Sequence, residues 1–182
     1  MDTQPSSPRL ADLAFPAPAA SYESVYVVGF TPEGNIPLIE TPSDGGNVVC
    51  LPGVRLPGSA GAPEDAIGAM RAALAAETGC DAAEWVIMSR YGIPTGHRGM
   101  ATILMAPSLR RIGPAGQVPA LRHRVHEVPV ADASRWLAER KQAGVDVDPK
   151  VWVGLLLAER HFPRWARARL CAAIDRVRRN DA

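Results

Sequence analysis

The residues of this 182-residue chain that could do chemistry fall into three groups. Glu64, Asp65 and Glu77 are carboxylates along one helix-like stretch, and His97 with Arg98 sits in a loop. The third group, Arg122-His123-Arg124-Val125-His126-Glu127, mixes cations, imidazoles and a single acid. Converging carboxylates hold divalent cations and activate water, and a helix brings acids together at i, i+3 and i+4 spacing. Glu64 and Glu77 are too far apart for that, because thirteen residues of straight helix span about 20 Å. Histidine near neutral pH can act as acid, base or anion donor, and the planar guanidinium fork of arginine suits phosphate or carboxylate. The basic segment is therefore either a place for an anion held by fixed cations or a solvated loop.

Other chemistries find less support. Lys plus Arg is 20 against 19 for Asp plus Glu, a formal charge of +1, so no global field favours nucleic acid or an acidic membrane surface. Cys50, Cys80 and Cys171 form no C-x-x-C pair, which leaves neither a disulfide framework nor an ordinary zinc site and fits a reducing, cytoplasmic setting. Gly53, Gly58 and Gly61 lie in one loop, but no G-K-[ST] follows, so a P-loop is rejected. No signal peptide and no apolar run of membrane-spanning length is read from the sequence. Arg164, Arg167, Arg169, Arg176, Arg178 and Arg179 make the end of the chain basic, yet no aromatic stacking platform accompanies them.

These groups must be positioned by elements. Residues 1–20, with four prolines among small residues, read as a loose tail. Val25–Phe30 and Ile36–Ile39 flank a Pro32-Glu33-Gly34-Asn35 turn and predict a hairpin. Asn47–Leu51 is a short apolar strand, and Pro52–Ala62 reads as a long loop. Pro63-Glu64-Asp65 opens a helix to about residue 78, since proline suits the first turn and acids suit the positive end of the dipole. Ile67, Met70 and Leu74 form its apolar stripe, and Gly79 stops it. Strands follow at 85–88, 100–105 and 125–130, then helices at about 132–142 and from Asp148. Residues 163–182 predict a last basic amphipathic helix, packed on the domain or on a dimer partner. The order of strands, helix, strands and helices gives an α+β class, with a mixed sheet covered by helices and one main domain at 21–162.

The segment Leu51-Pro52-Gly53, the following loop and Pro63 to Gly79 resemble the Nudix family, whose box reads G-x5-E-x7-R-E-U-x-E-E-x-G-U, with U a bulky aliphatic residue. Here Gly58 and Glu64 fit the frame, and the remainder reads Ala72-Ala73-Leu74-Ala75-Ala76-Glu77-Thr78-Gly79-Cys80. Trp136-Leu137, Gly144, Asp148, Lys150 and the apolar run 151–157 look like the C-terminal helices of the ADP-ribose pyrophosphatase branch. Tyr91, Pro94 and Gly96 resemble that branch's substrate-side loop, and Glu127-Val128-Pro129-Val130 its late strand. The resemblance implies a Nudix-like α/β/α sandwich, a nucleotide-like ligand, a homodimer, and Mg2+ where hydrolysis is retained.

In that family, glutamates on one helical face hold the metals. The matching positions here are Ala73, Ala76 and Glu77, and the box arginine is Ala72. The sequence thus predicts a degenerate box, with Glu77 as its one metal-ligand candidate. Glu77, Glu127 and His97 are the catalytic candidates, and Arg98, Arg124, His126 and Gly53 the ligand-binding ones. Three functions stay open. They are an anion or nucleotide binder with weak or no metal-dependent hydrolysis, a diphosphate hydrolase with unconventional ligands such as Glu64, Asp65 or Glu127, and a metal-independent enzyme on the same fold. Nucleic acid and membrane are not expected partners.

Overall fold

A computed structural model describes residues 22–58, 63–93, 99–115 and 123–161. The predicted tail, His97, Arg98, Arg122 and the predicted helix 163–182 lie outside the described residues. In chain order the elements are β1 (Tyr22–Gly29), β2 (Asn35–Ser43), β3 (Gly46–Cys50), β4 (Gly53–Pro57), α1 (Pro63–Thr78), β5 (Cys80–Ala82), β6 (Val86–Ile93) and β7 (Gly99–Ala106). β8 (Leu109–Arg111), β9 (Arg124–Pro129), α2 (Ala133–Gln142), β10 (Asp146–Val147) and α3 (Pro149–His161) follow.

Two four-stranded sheets carry the architecture. One has the order β4-β1-β7-β6 and is mixed, because β1 runs parallel to β7 and antiparallel to β4. The other has the order β10-β3-β2-β9 and is also mixed, with β10 parallel to β3. A small β5-β8 pair completes the strands. β1 is buried on both faces, with Val25, Val27 and Val28 apolar, as expected of a strand covered on both sides. Val25 and Val27 join a core with Met70 and Leu74 of α1, while Val28 joins a second core with Leu38, Val49, Leu137 and Val151. The first sheet is thereby sandwiched between α1 on one side and the second sheet with α2 and α3 on the other. Among the described residues, no helix is long and apolar enough to cross a membrane.

The expected hairpin at Pro32–Asn35 is corrected by this topology. The turn forms, with Thr31 N donating to Asn35 O at 2.8 Å and Gly34 N to Thr31 O at 2.9 Å. Its flanking strands nevertheless enter different sheets, because β1 takes β4 and β7 as partners and β2 takes β3 and β9. The Asp44-Gly45 turn makes the real hairpin, β2 with β3. The stretch read as a loop after Pro52 contains β4, whose Val54 and Leu56 pack against the α1 core.

α1 covers the predicted span, 63–78, with Glu64 and Asp65 in its first turn. Its end is set by Gly79 at φ +68°, the left-handed conformation that glycine adopts without the Cβ penalty. Gly79 N donates to Ala75 O at 2.9 Å, and Gly79 O accepts from Ile112 and Gly113. A Cβ at Gly79 would lie 2.3 Å from Gly113 O, so the helix terminus is locked against the chain after β8. This lock fixes where the side chain of Glu77 emerges.

Candidate functional site

A cavity of about 330 Å³ is lined by residues of both four-stranded sheets. β1 contributes Ser24 and Tyr26, and β4 contributes Gly53, Val54 and Arg55. The facing sheet brings Ile39, Thr41, Val48 and Cys50, with Leu51 beside them; Glu77, His123 and Asp148 close the remainder. Aliphatic side chains and neutral polar groups thus surround a few charges.

Glu77 reaches the cavity from the last turn of α1, and its Oε2 accepts the backbone N–H of Gly53 at 3.2 Å. Burial pushes its carboxyl up to about 7, against the lowering effect of the Gly53 hydrogen bond and the His123 charge. His123 Nε2 lies 3.1 Å from the backbone oxygen of Glu77. That carbonyl can only accept, so Nε2 carries the proton in this contact, and Nδ1 is buried without a hydrogen-bond partner. Cys50 also lines the cavity, but burial and the nearby Asp148 and Glu77 carboxylates push its thiol up to about 12. It is a poor nucleophile near neutral pH, since the thiolate is the reactive form.

Asp148 caps α3. Its Oδ1 accepts Lys150 N at 2.8 Å and its Oδ2 pairs with Lys150 Nζ at 2.7 Å. Burial works against the charge on Lys150, but Asp148 and the neighbouring tyrosines raise its pKa. The ammonium also sits 5.0 Å above the Tyr26 ring.

Of the sequence candidates, the structure brings Glu77 and Gly53 into the cavity. Arg124 is exposed on β9, in register with Glu40. His126 hydrogen-bonds Glu40 Oε2 at 2.9 Å and lies against Trp136 in a tilted arrangement, with ring centroids 5.0 Å apart. In an antiparallel pair, opposed residues share a face, so Arg124 and His126 lie on the Leu38 and Glu40 side of the sheet. Ile39 and Thr41, which line the cavity, alternate with them. Glu127 is ion-paired with Arg111 at the surface, and Glu64 and Asp65 are exposed at the other end of α1 from Glu77. His97 and Arg98 lie outside the described residues. Ala73 is half-buried against the α1 core, and among the described residues no three His, Cys, Asp or Glu side chains are grouped to hold a metal ion.

Glu40 is the centre of a separate polar network. Asn47 donates to its Oε1 at 2.8 Å, and His126 and Arg140 approach Oε2 at 2.9 and 3.7 Å. Burial raises its pKa, but these three partners together hold it below the usual carboxylate value. Arg55 also lines the cavity and is not among the sequence candidates. Its signal was the alternation Val54-Arg55-Leu56, hidden inside a stretch rich in Pro and Gly that read as loop.

No family model matches the sequence, and no curated protein matches it. Among solved structures, one described as the crystal structure of an ADP compounds hydrolase is similar over 78% of this chain and 73% of that chain, at 15% identity and a TM-score of 0.60. Another, of MutT from Aliivibrio salmonicida and Vibrio cholerae, matches 63% of this chain and 85% of that chain at 16% identity and a TM-score of 0.49. The two mixed sheets, their flanking helices and the first of these similarities agree: the chain has an α+β, Nudix-like fold.

Proposed function

We propose that this Nudix-fold protein binds a small nucleotide-like or other anionic ligand and has weak or no metal-dependent diphosphate hydrolysis. The observation that carries the reading is the state of Glu77, the one carboxylate at the three matching positions of α1. It is bonded to Gly53 N–H and desolvated, which pushes its carboxyl up to about 7, and it stands alone beside alanines at 73 and 76. The Mg2+ that the fold implies does not fit these residues, because hard cations need several oxygen ligands and one half-buried carboxyl supplies at most part of a shell. The solved structure described as an ADP compounds hydrolase supports trying ADP-containing ligands first.

The test has two parts. Calorimetry with Mg2+ or Mn2+ alone should give weak binding, and thermal shift with ADP-ribose, AMP and inorganic pyrophosphate should reveal stabilisation by an anion. A ligand at a hundredfold excess over its dissociation constant stabilises by about 2.7 kcal/mol. Tight stoichiometric Mg2+ binding, or rapid Mg2+-dependent cleavage of ADP-ribose to AMP and ribose 5-phosphate, would overturn the reading in favour of a working hydrolase.

One observation favours a second reading, a metal-independent enzyme. A carboxyl that burial pushes up to about 7, on a residue whose backbone oxygen accepts from His123 Nε2, is suited to general acid and base work. Turnover of a bound ligand in excess chelator, abolished by Glu77→Gln, would select it.

A further inference from the structure

The anion-binding reading leaves open which residue receives the anion. Resting on that reading, we propose that Arg55 is the receptor, a guanidinium fork held over the Tyr22 ring that takes one phosphoryl or carboxylate group at the cavity mouth. Val54 and Leu56 turn toward the α1 core, and strand alternation puts Arg55 on the other face, exposed and lining the cavity. Its Cζ lies 4.7 Å from the centroid of the Tyr22 ring. A cation held over a ring face needs none of its N–H donors for that contact, which leaves them available for paired oxygen acceptors.

The platform under Arg55 is built by the backbone. Tyr22 and Tyr26 share one face of β1, two residues on either side of Ser24, which is the register partner of Arg55. Each ring lies against a glycine of a neighbouring strand. A Cβ at Gly99 would be 2.8 Å from Tyr22 Cζ, and one at Gly53 would be 2.7 Å from Tyr26 Cδ1. The Tyr22 ring is therefore seated where no other residue type leaves room, and it holds the arginine stem down. The second cation of this row, Lys150, is already matched by Asp148. Arg71, Arg90, Arg110, Arg111, Arg135 and Arg140 likewise each have an acid. Among the described residues, no carboxylate pairs with Arg55. An oriented guanidinium with no carboxylate partner among these residues, in a cavity also lined by Ile39, Val48 and Leu51, suits a ligand with an anionic head and a flat or apolar body.

Phenyl phosphate, benzoate and benzyl alcohol share a ring and differ in the head group, so calorimetry at low salt with the full chain reads the head directly. Wild type should bind phenyl phosphate or benzoate, whichever head the site prefers, and not benzyl alcohol. Arg55→Ala should weaken the preferred anion by at least about tenfold, the loss expected for a charge-assisted contact. Arg55→Gln, which keeps the stem without the charge, should do the same, while Arg55→Lys should lose less and Arg135→Ala nothing. Equal binding by wild type and both neutral variants would overturn the inference and leave the anion-binding reading intact with its receptor elsewhere. Absence of binding by phenyl phosphate, benzoate and AMP to wild type would overturn both.

Discussion

The backbone N–H of Gly53 donates to Glu77 Oε2 at 3.2 Å and so ties the end of α1 to the start of β4. This one contact joins the remnant of a helical carboxylate row to the strand that carries Arg55. It also leaves the carboxyl in a desolvated place where charge is unfavourable.

A pH dependence follows for Glu77. Its folded pKa is raised from 4.5 to about 7, so its contribution to stability is full below about 4.5 and is lost as pH rises through about 7. Glu77→Gln keeps an oxygen for the Gly53 N–H and carries no charge. At pH 8 it should be more stable than the parent by about 2 kcal/mol, a figure already reduced for the partial exposure of the group. Urea unfolding at pH 8 and pH 4 measures the difference, which should close in acid. A constant difference across that range would contradict the desolvated carboxyl.

Glu40 should behave in the opposite sense. Its folded pKa is lowered, so its contribution is present above about 4.5 and is lost as pH falls below that. Glu40→Gln weakens the contacts to His126 and Arg140 and should cost about 1–3 kcal/mol at pH 7. The penalty should shrink in acid. A neutral effect at pH 7 would show that Asn47 alone supports this position.

Gly79→Ala tests the lock on α1. Alanine at φ +68° is strained, and its Cβ would press on Gly113 O, so the variant should lose about 2 kcal/mol or more. Because the same turn aims Glu77, ligand affinity should fall as well. Thermal unfolding and calorimetry with the best anion from the screen check the two effects separately. An unchanged melting temperature would mean that the chain around Gly113 yields freely.

Restoring the carboxylate row is the complementary experiment. Ala73→Glu with Ala76→Glu should raise Mn2+ affinity at pH 8, where Glu77 is ionised, on the order of tenfold or more. Ala73 is half-buried against the α1 core, so a fall in melting temperature should accompany the gain. Unchanged affinity in a folded variant would place the three positions out of reach of one another.

The sequence by itself determined the elements whose signals are local. α1 spans the predicted residues because Pro63, the two acids after it, the 67-70-74 stripe and Gly79 all act within a few residues of the helix they shape. α2, α3 and strands at 85–88, 100–105 and 125–130 were legible for the same reason, although β6 runs on to Ile93, into the stretch after Tyr91 that reads as loop. The missing helical acids, and Glu77 as the survivor, were visible as letters in a frame. What only the tertiary structure decided is pairing and facing, which depend on residues far apart in the chain. No local pattern sends β1 and β2 to different sheets, and β5, β8 and β10 are too short to carry a periodicity. The same holds for the charges. Arg124 stands out in a basic run and Arg55 stands alone among apolar residues, but register puts Arg124 on the Glu40 side of its sheet and Arg55 on the face that lines the cavity. A one-residue change of phase in a strand reverses which face a side chain occupies, and that phase is set by the partners across the sheet.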